Sequence, residues 1–82
     1  MIPEWTKQTI DNYIQKGWEP GDFVRAVLAN DLMGAFSRAD DNNTRHMVDI
    51  VRYVYNKTPV TCHGSYKIVE GWLNSFRPKP EE

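Results

Sequence analysis

Turn-forming and helix-breaking residues interrupt this chain at short intervals, and that spacing restricts it to short elements. Gly17 is followed by Pro20-Gly21. Then come Asp40-Asp41-Asn42-Asn43-Thr44, the stretch from Pro59 to Gly64, and finally Pro78 and Pro80. Glycine adopts left-handed backbone at little steric cost, and proline lacks the amide donor that a helix interior needs. Between these breaks the apolar residues recur at three and four positions, the helical period.

Four helical segments account for most of that pattern. The first runs from about Pro3 to Lys16, with Pro3 suited to the first turn and Gly17 to a left-handed stop. Trp5, Thr9 and Tyr13 form one row, and Ile10 and Ile14 an adjoining one. The second region spans about Asp22 to Ala39, where Val24, Leu28, Leu32 and Phe36 form a row at i+4 spacing. Asn30-Asp31 interrupts it with two residues that compete for backbone hydrogen bonds, so the region is either one helix or two short ones with Asp31 as a cap. The third helix is expected from about Thr44 to Asn56, with an apolar stripe of Met47, Ile50, Val51, Val54 and Tyr55. The fourth follows a Ser65 cap, from Tyr66 to Phe76, and turns Ile68, Val69, Trp72, Leu73 and Phe76 inward.

Tyr53-Val54-Tyr55 alone has strand propensity, and no period-two run accompanies it. The expected fold is therefore all-α, a single small domain of about four short helices over residues 1–76. Residues 77–82, Arg77-Pro78-Lys79-Pro80-Glu81-Glu82, are expected to form a flexible C-terminal tail.

Size narrows the function classes. A chain of 82 residues makes one domain. Folding at this length hides only about 60% of the surface that the unfolded chain exposes. Three Trp, four Tyr and three Phe supply large buried areas to such a core but leave little room for a deep interior pocket. Association into a homodimer would add the buried surface that a small core lacks.

The formal net charge of −1 gives no basic excess for phosphate backbones, which argues against a nucleic-acid reader. No apolar run approaches the length of a membrane span, and Met1-Ile2-Pro3-Glu4-Trp5 has neither the basic start nor the apolar run of a secretory signal. The single cysteine, Cys62, rules out an internal disulfide and suits a reducing cytoplasm.

The candidate chemistry is sparse. Cys62-His63 pairs a thiol with an imidazole, but adjacent residues seldom orient a nucleophile on its base, and burial of Cys62 as a small apolar side chain explains it equally. Asp40, Asp41, His46 and Asp49 match no metal-ligand spacing; capping of a helix and an exposed Arg45–Asp49 pair is the simpler reading, and no metal or other cofactor is expected. Arg45 and Arg52, seven apart, could share a helix face toward a phosphate group or an acidic protein. Exposed aromatic and arginine side chains are the usual anchors of binding surfaces, and Trp18, Tyr53 and Arg52 are the expected partner-binding residues.

A set of residues in the middle of the chain carries a resemblance. Pro20-Gly21-Asp22-Phe23, Ala26-Val27-Leu28, Asn30-Asp31-Leu32 and Arg38-Ala39-Asp40 form one block. Ile50-Val51, Tyr53-Val54-Tyr55-Asn56, Pro59 and Cys62-His63-Gly64-Ser65 form another. Together, over residues 19–73, they resemble a group of small bacteriophage- and prophage-encoded proteins of unassigned function. Members of that group often carry tryptophan where His63 stands, which implies a packing or surface-ring position and not a catalytic histidine.

The resemblance implies a context, the host cell cytoplasm, and a mode of action common to small phage proteins. The leading expectation is a protein that binds and modulates, by inhibition, a host protein without turnover. The second is an oligomeric small-molecule binder that sequesters a nucleotide-type signal in a pocket between subunits. The third is a small hydrolase or nuclease using His46 or His63.

Overall fold

A computed structural model describes residues 1–77. Among them are six α-helices, one 3₁₀ turn and no strand: α1 (Glu4–Lys16), α2 (Gly21–Leu28), α3 (Leu32–Arg38), α4 (Asp41–Arg45), α5 (Met47–Lys57), the turn Val60–Cys62, and α6 (Tyr66–Asn74). The all-helical class stands as expected. The count is six and not about four, because two expected helices are each divided. Of the expected tail, residues 78–82 lie outside the described residues.

Local chemistry explains both divisions. The Asp22–Ala39 region breaks after Ala29, where Asn30 takes left-handed backbone at φ 63°. The amide of Asp31 donates to the carbonyl of Ala26 and that of Asn30 to the carbonyl of Val27. This doubly bonded stop satisfies carbonyls that the end of α2 would otherwise leave unpaired. Asp31 then begins α3, its side chain accepting from the Gly34 amide at 2.9 Å.

The second division falls at His46. Here Asp40 caps α4 by accepting from the Asn43 amide at 2.7 Å, so helix begins at Asp41, ahead of the expected Thr44. His46 ends α4 with non-helical backbone and opens α5.

The expected terminators of the other helices hold. Gly17 stops α1 at φ 67°, and its amide donates to the Tyr13 carbonyl. It also accommodates Phe76, whose ring occupies the space that a Cβ would need. Ser65 caps α6 by accepting from the Ile68 amide. Pro3 stands one position earlier than expected, as the cap and not within the first turn.

The main core gathers Ile10 and Tyr13 from α1, Val24 and Leu28 from α2, Ile50 and Val54 from α5, Cys62, and Val69 and Leu73 from α6. Tyr13 is central to it. Its hydroxyl donates to the carbonyl of Cys62 at 2.7 Å, its own carbonyl accepts from the Trp72 indole at 3.1 Å, and its ring is tilted against that indole. A smaller cluster of Ala26, Ala35 and Met47 seats α3 and the start of α5 on α2.

The expected apolar stripes are only partly buried. Leu32 and Phe36 do not continue the row of Val24 and Leu28, because the left-handed Asn30 resets the helical phase; both are exposed. Val51 and Tyr55 leave the stripe of α5, and Ile68 and Phe76 leave that of α6.

Gly71 lies on the exposed side of α6, with nothing near the position of a Cβ. Gly71→Ala is therefore expected to stabilise the fold by about 0.5–1 kcal/mol, because alanine loses less backbone freedom on folding. The measurement is the urea midpoint, which should rise with an unchanged slope; an unchanged or lower midpoint would contradict the expectation.

Candidate functional site

Two tryptophans stand out on the surface. Trp5 is 79% exposed and Trp18 56% exposed. Trp5 belongs to the first turn of α1. Trp18 follows the left-handed Gly17, which turns the chain away from the axis of α1. The segment after it is held at Pro20, which is buried, and by an ion pair between Glu19 and Arg25 at 2.6 Å. The Lys16 ammonium lies over the Trp18 ring, 4.5 Å from its centroid, an attraction between a cation and the negative face of the indole.

Both indoles open on the same hollow of about 340 Å³, completed by Gln8, Thr9, Asn12 and Glu19. The two rings supply its apolar lining, and its polar groups are two side-chain amides, a hydroxyl and one carboxylate. Trp5 also borders a second hollow of about 290 Å³, whose charged groups are Asp22, Arg38 and Asp40. The two hollows meet at Trp5 and run along one side of α1. Large rings that combine an apolar body with a single N–H donor are the side chains that most often anchor protein interfaces.

The three residues expected to bind a partner are not gathered at one point. Trp18 lines the indole hollow. Arg52 and Tyr53 line another, of about 250 Å³, together with Asn56 and Lys57, and no residue lines both. Arg52 is exposed. Tyr53 is half-buried, its hydroxyl donates to the Asp11 carboxylate, and the Lys7 ammonium lies 5.6 Å from its ring centroid. Tyr53 thereby fastens α5 to α1. Trp5, which sequence reasoning placed in a row with Thr9 and Tyr13 and did not single out, is the larger exposed ring.

Burial, the hydrogen bond to Asp11 and the charges of Asp11 and Glu4 push the Tyr53 phenol up to about 12. Burial raises the Tyr13 phenol as well. A raised folded-state value means that the fold favours the neutral phenol. The associated stability is complete below the ordinary value near 10 and is lost as pH rises through the folded value. Stability is therefore expected to fall between pH 10 and 12, with Tyr53→Phe showing a shallower fall. Equal slopes for the two proteins in urea titrations across that range would contradict the assignment.

The remaining candidate groups are engaged elsewhere. Cys62 is fully buried, and burial pushes its thiol above the ordinary value, the opposite of nucleophile activation. His63 borders a hollow of about 220 Å³ whose other polar side chains are Asn30 and Tyr55, and its buried Nε2 has no hydrogen-bond partner among the described residues. His46 Nδ1 lies 2.9 Å from the Asn42 carbonyl.

Asp40 is spent on capping, and Asp49 pairs with the Met1 ammonium at 2.8 Å and not with Arg45. Among the described residues no three His, Cys, Asp or Glu side chains come together as a metal site. Arg45 closes α4 while Arg52 lies within α5, with the turn at His46 between them, so they do not share one continuous helix. No helix of the described residues is long and apolar enough to cross a membrane.

Comparison of the chain with protein-family models, with curated proteins and with solved structures returned no match.

Proposed function

We propose that this chain is a non-catalytic accessory protein of the bacteriophage or prophage type, which binds a host protein in the host cytoplasm and inhibits it by occupancy. The observation that carries the proposal is the sharing of one open hollow by two exposed tryptophans, Trp5 and Trp18. Desolvating two indoles against a partner supplies the large apolar contribution that interface anchors make, while Gln8, Asn12 and Glu19 on the rim supply direction. Arg52 and Tyr53 border a separate hollow on the other side of α1 and are not part of this surface.

Inhibition by occupancy is stoichiometric. Titrating the chain into its target should reduce the target's activity linearly until the two are equimolar and then no further. Full loss of activity at a small molar fraction of the chain would show turnover and sink the proposal.

A further inference from the structure

The helices α3 and α5 carry apolar faces that are uncovered among the described residues. On α5, Val48, Val51 and Tyr55 recur at i, i+3 and i+7, which places them in one row beside the buried Met47, Ile50 and Val54. On α3, Leu32, Met33 and Phe36 lie within an arc of roughly 100° that begins beside the buried Ala35 and turns outward. Met33 is 80% and Tyr55 78% exposed. The two faces adjoin, because Leu32 and Val51 both line the hollow of about 130 Å³ between the helices.

We infer that this face is the interface of a two-fold symmetric homodimer. A two-fold interface requires one surface patch to complement itself. Here the exposed Val48–Val51–Tyr55 row of α5 adjoins the exposed Leu32, Met33 and Phe36 of α3, with the hollow as a shallow groove between them. A two-fold axis between the two helices sets the α5 row of each copy against the α3 face of the other. If wholly covered, the exposed parts of the six residues would bury at most on the order of 700 Å² per copy, which with the residues that border them is of the size, roughly 800 Å², that each partner contributes to a standard stable interface. None of the six is charged. The one carboxylate on the hollow, Asp31, already accepts from the Gly34 amide and the Tyr66 hydroxyl. These two donors hold Asp31 at the edge of the patch, where its carboxylate can keep its remaining contact with water, since burying an unpaired charge would be costly. The tryptophan hollow shares no lining residue with this groove, so dimerisation leaves it open.

The test is sedimentation equilibrium of the full chain from low micromolar to several hundred micromolar, on the wild type, Val51→Glu, Met33→Lys and the Trp5→Ala/Trp18→Ala pair. Val51 and Met33 are exposed, so their charged replacements are compatible with the fold; circular dichroism and the urea midpoint verify it. The expected result is a wild-type dimer, weakened at least about thirty-fold by either charged substitution and unchanged in the tryptophan variant. A monomer at every concentration would overturn the inference. So would a dimer indifferent to both charged substitutions, or one lost with the tryptophans. If the wild type stays monomeric and Val51→Glu instead abolishes binding of a host protein, the face belongs to that partner and not to a second copy.

Discussion

Tyr13→Ala is expected to cost about 3–5 kcal/mol, enough to leave a domain of this size largely unfolded at ambient temperature. The ring is fully buried between α1, α2, α5 and α6, and its removal opens a cavity that four elements would have to collapse into. It also removes the hydroxyl that satisfies the Cys62 carbonyl and the ring that Trp72 packs against. Tyr13→Phe separates these contributions. It keeps the ring and removes only the donor, leaving a buried carbonyl without a partner at a cost of about 1–3 kcal/mol. Urea unfolding of the two variants gives the comparison. Equal losses would place the whole effect in the hydrogen bond, and a loss below 1 kcal/mol for Tyr13→Ala would mean that the core does not depend on this ring.

The second large effect concerns binding and not stability. Trp18→Ala and Trp5→Ala are each expected to weaken the target complex by at least about 2 kcal/mol, roughly thirty-fold, while changing the unfolding free energy by no more than about 0.5 kcal/mol. The separation follows from exposure: both rings lie mostly in water, so their truncation removes little core. Because the two indoles face one hollow, their effects should not add, and the double variant is expected to lose less than the sum of the singles. Tyr53→Phe should behave in the opposite sense. It releases the tie to Asp11 and alters stability and its dependence on alkaline pH, with a small effect on binding. A Tyr53 variant that loses the partner as completely as Trp18→Ala would move the centre of the surface to α5.

The helix ends were the most legible part of the chain because they are set by local chemistry. Gly17, Asp31 and Ser65 each act within one turn of themselves; the roles of Gly17 and Ser65 were legible in the sequence, while the Asp31 cap was one of two readings the sequence left open. The phase of the apolar residues was less legible. Val24, Leu28, Leu32 and Phe36 read as one continuous row, yet a single left-handed residue, Asn30, rotates everything after it. Asparagine tolerates that conformation without requiring it, so its identity alone does not fix the rotation. Helix α4 was hidden for a related reason: Asp41-Asn42-Asn43 is a weak helix former, and it is held by the Asp40 cap and by the Thr6 hydroxyl donating to the Asn43 side chain, a contact from far away in sequence.

The candidate surface was legible in type and not in place. Trp18 beside a Pro-Gly turn signalled exposure. Trp5 did not, because four-residue spacing to Thr9 and Tyr13 suggested a shared inward row, whereas α1 is covered at Tyr13 and bare at Trp5. Arg52 and Tyr53 were grouped with Trp18 by residue chemistry alone, and tertiary packing puts α1 between them. The uncovered face of α3 arises from the same reset of phase, which leaves Leu32 and Phe36 outside the core that their spacing predicts; on α5, Val51 and Tyr55 lie at the exposed edge of a stripe of which only Met47, Ile50 and Val54 are buried.

Stoichiometric binding through the paired tryptophans can be read from native mass spectrometry of the chain recovered gently from host-cell lysate, wild type against Trp5→Ala/Trp18→Ala. One additional protein mass is expected in fixed ratio on the wild type and absent from the double variant at equal folded content. The same complex on the double variant, in the same ratio, would contradict it.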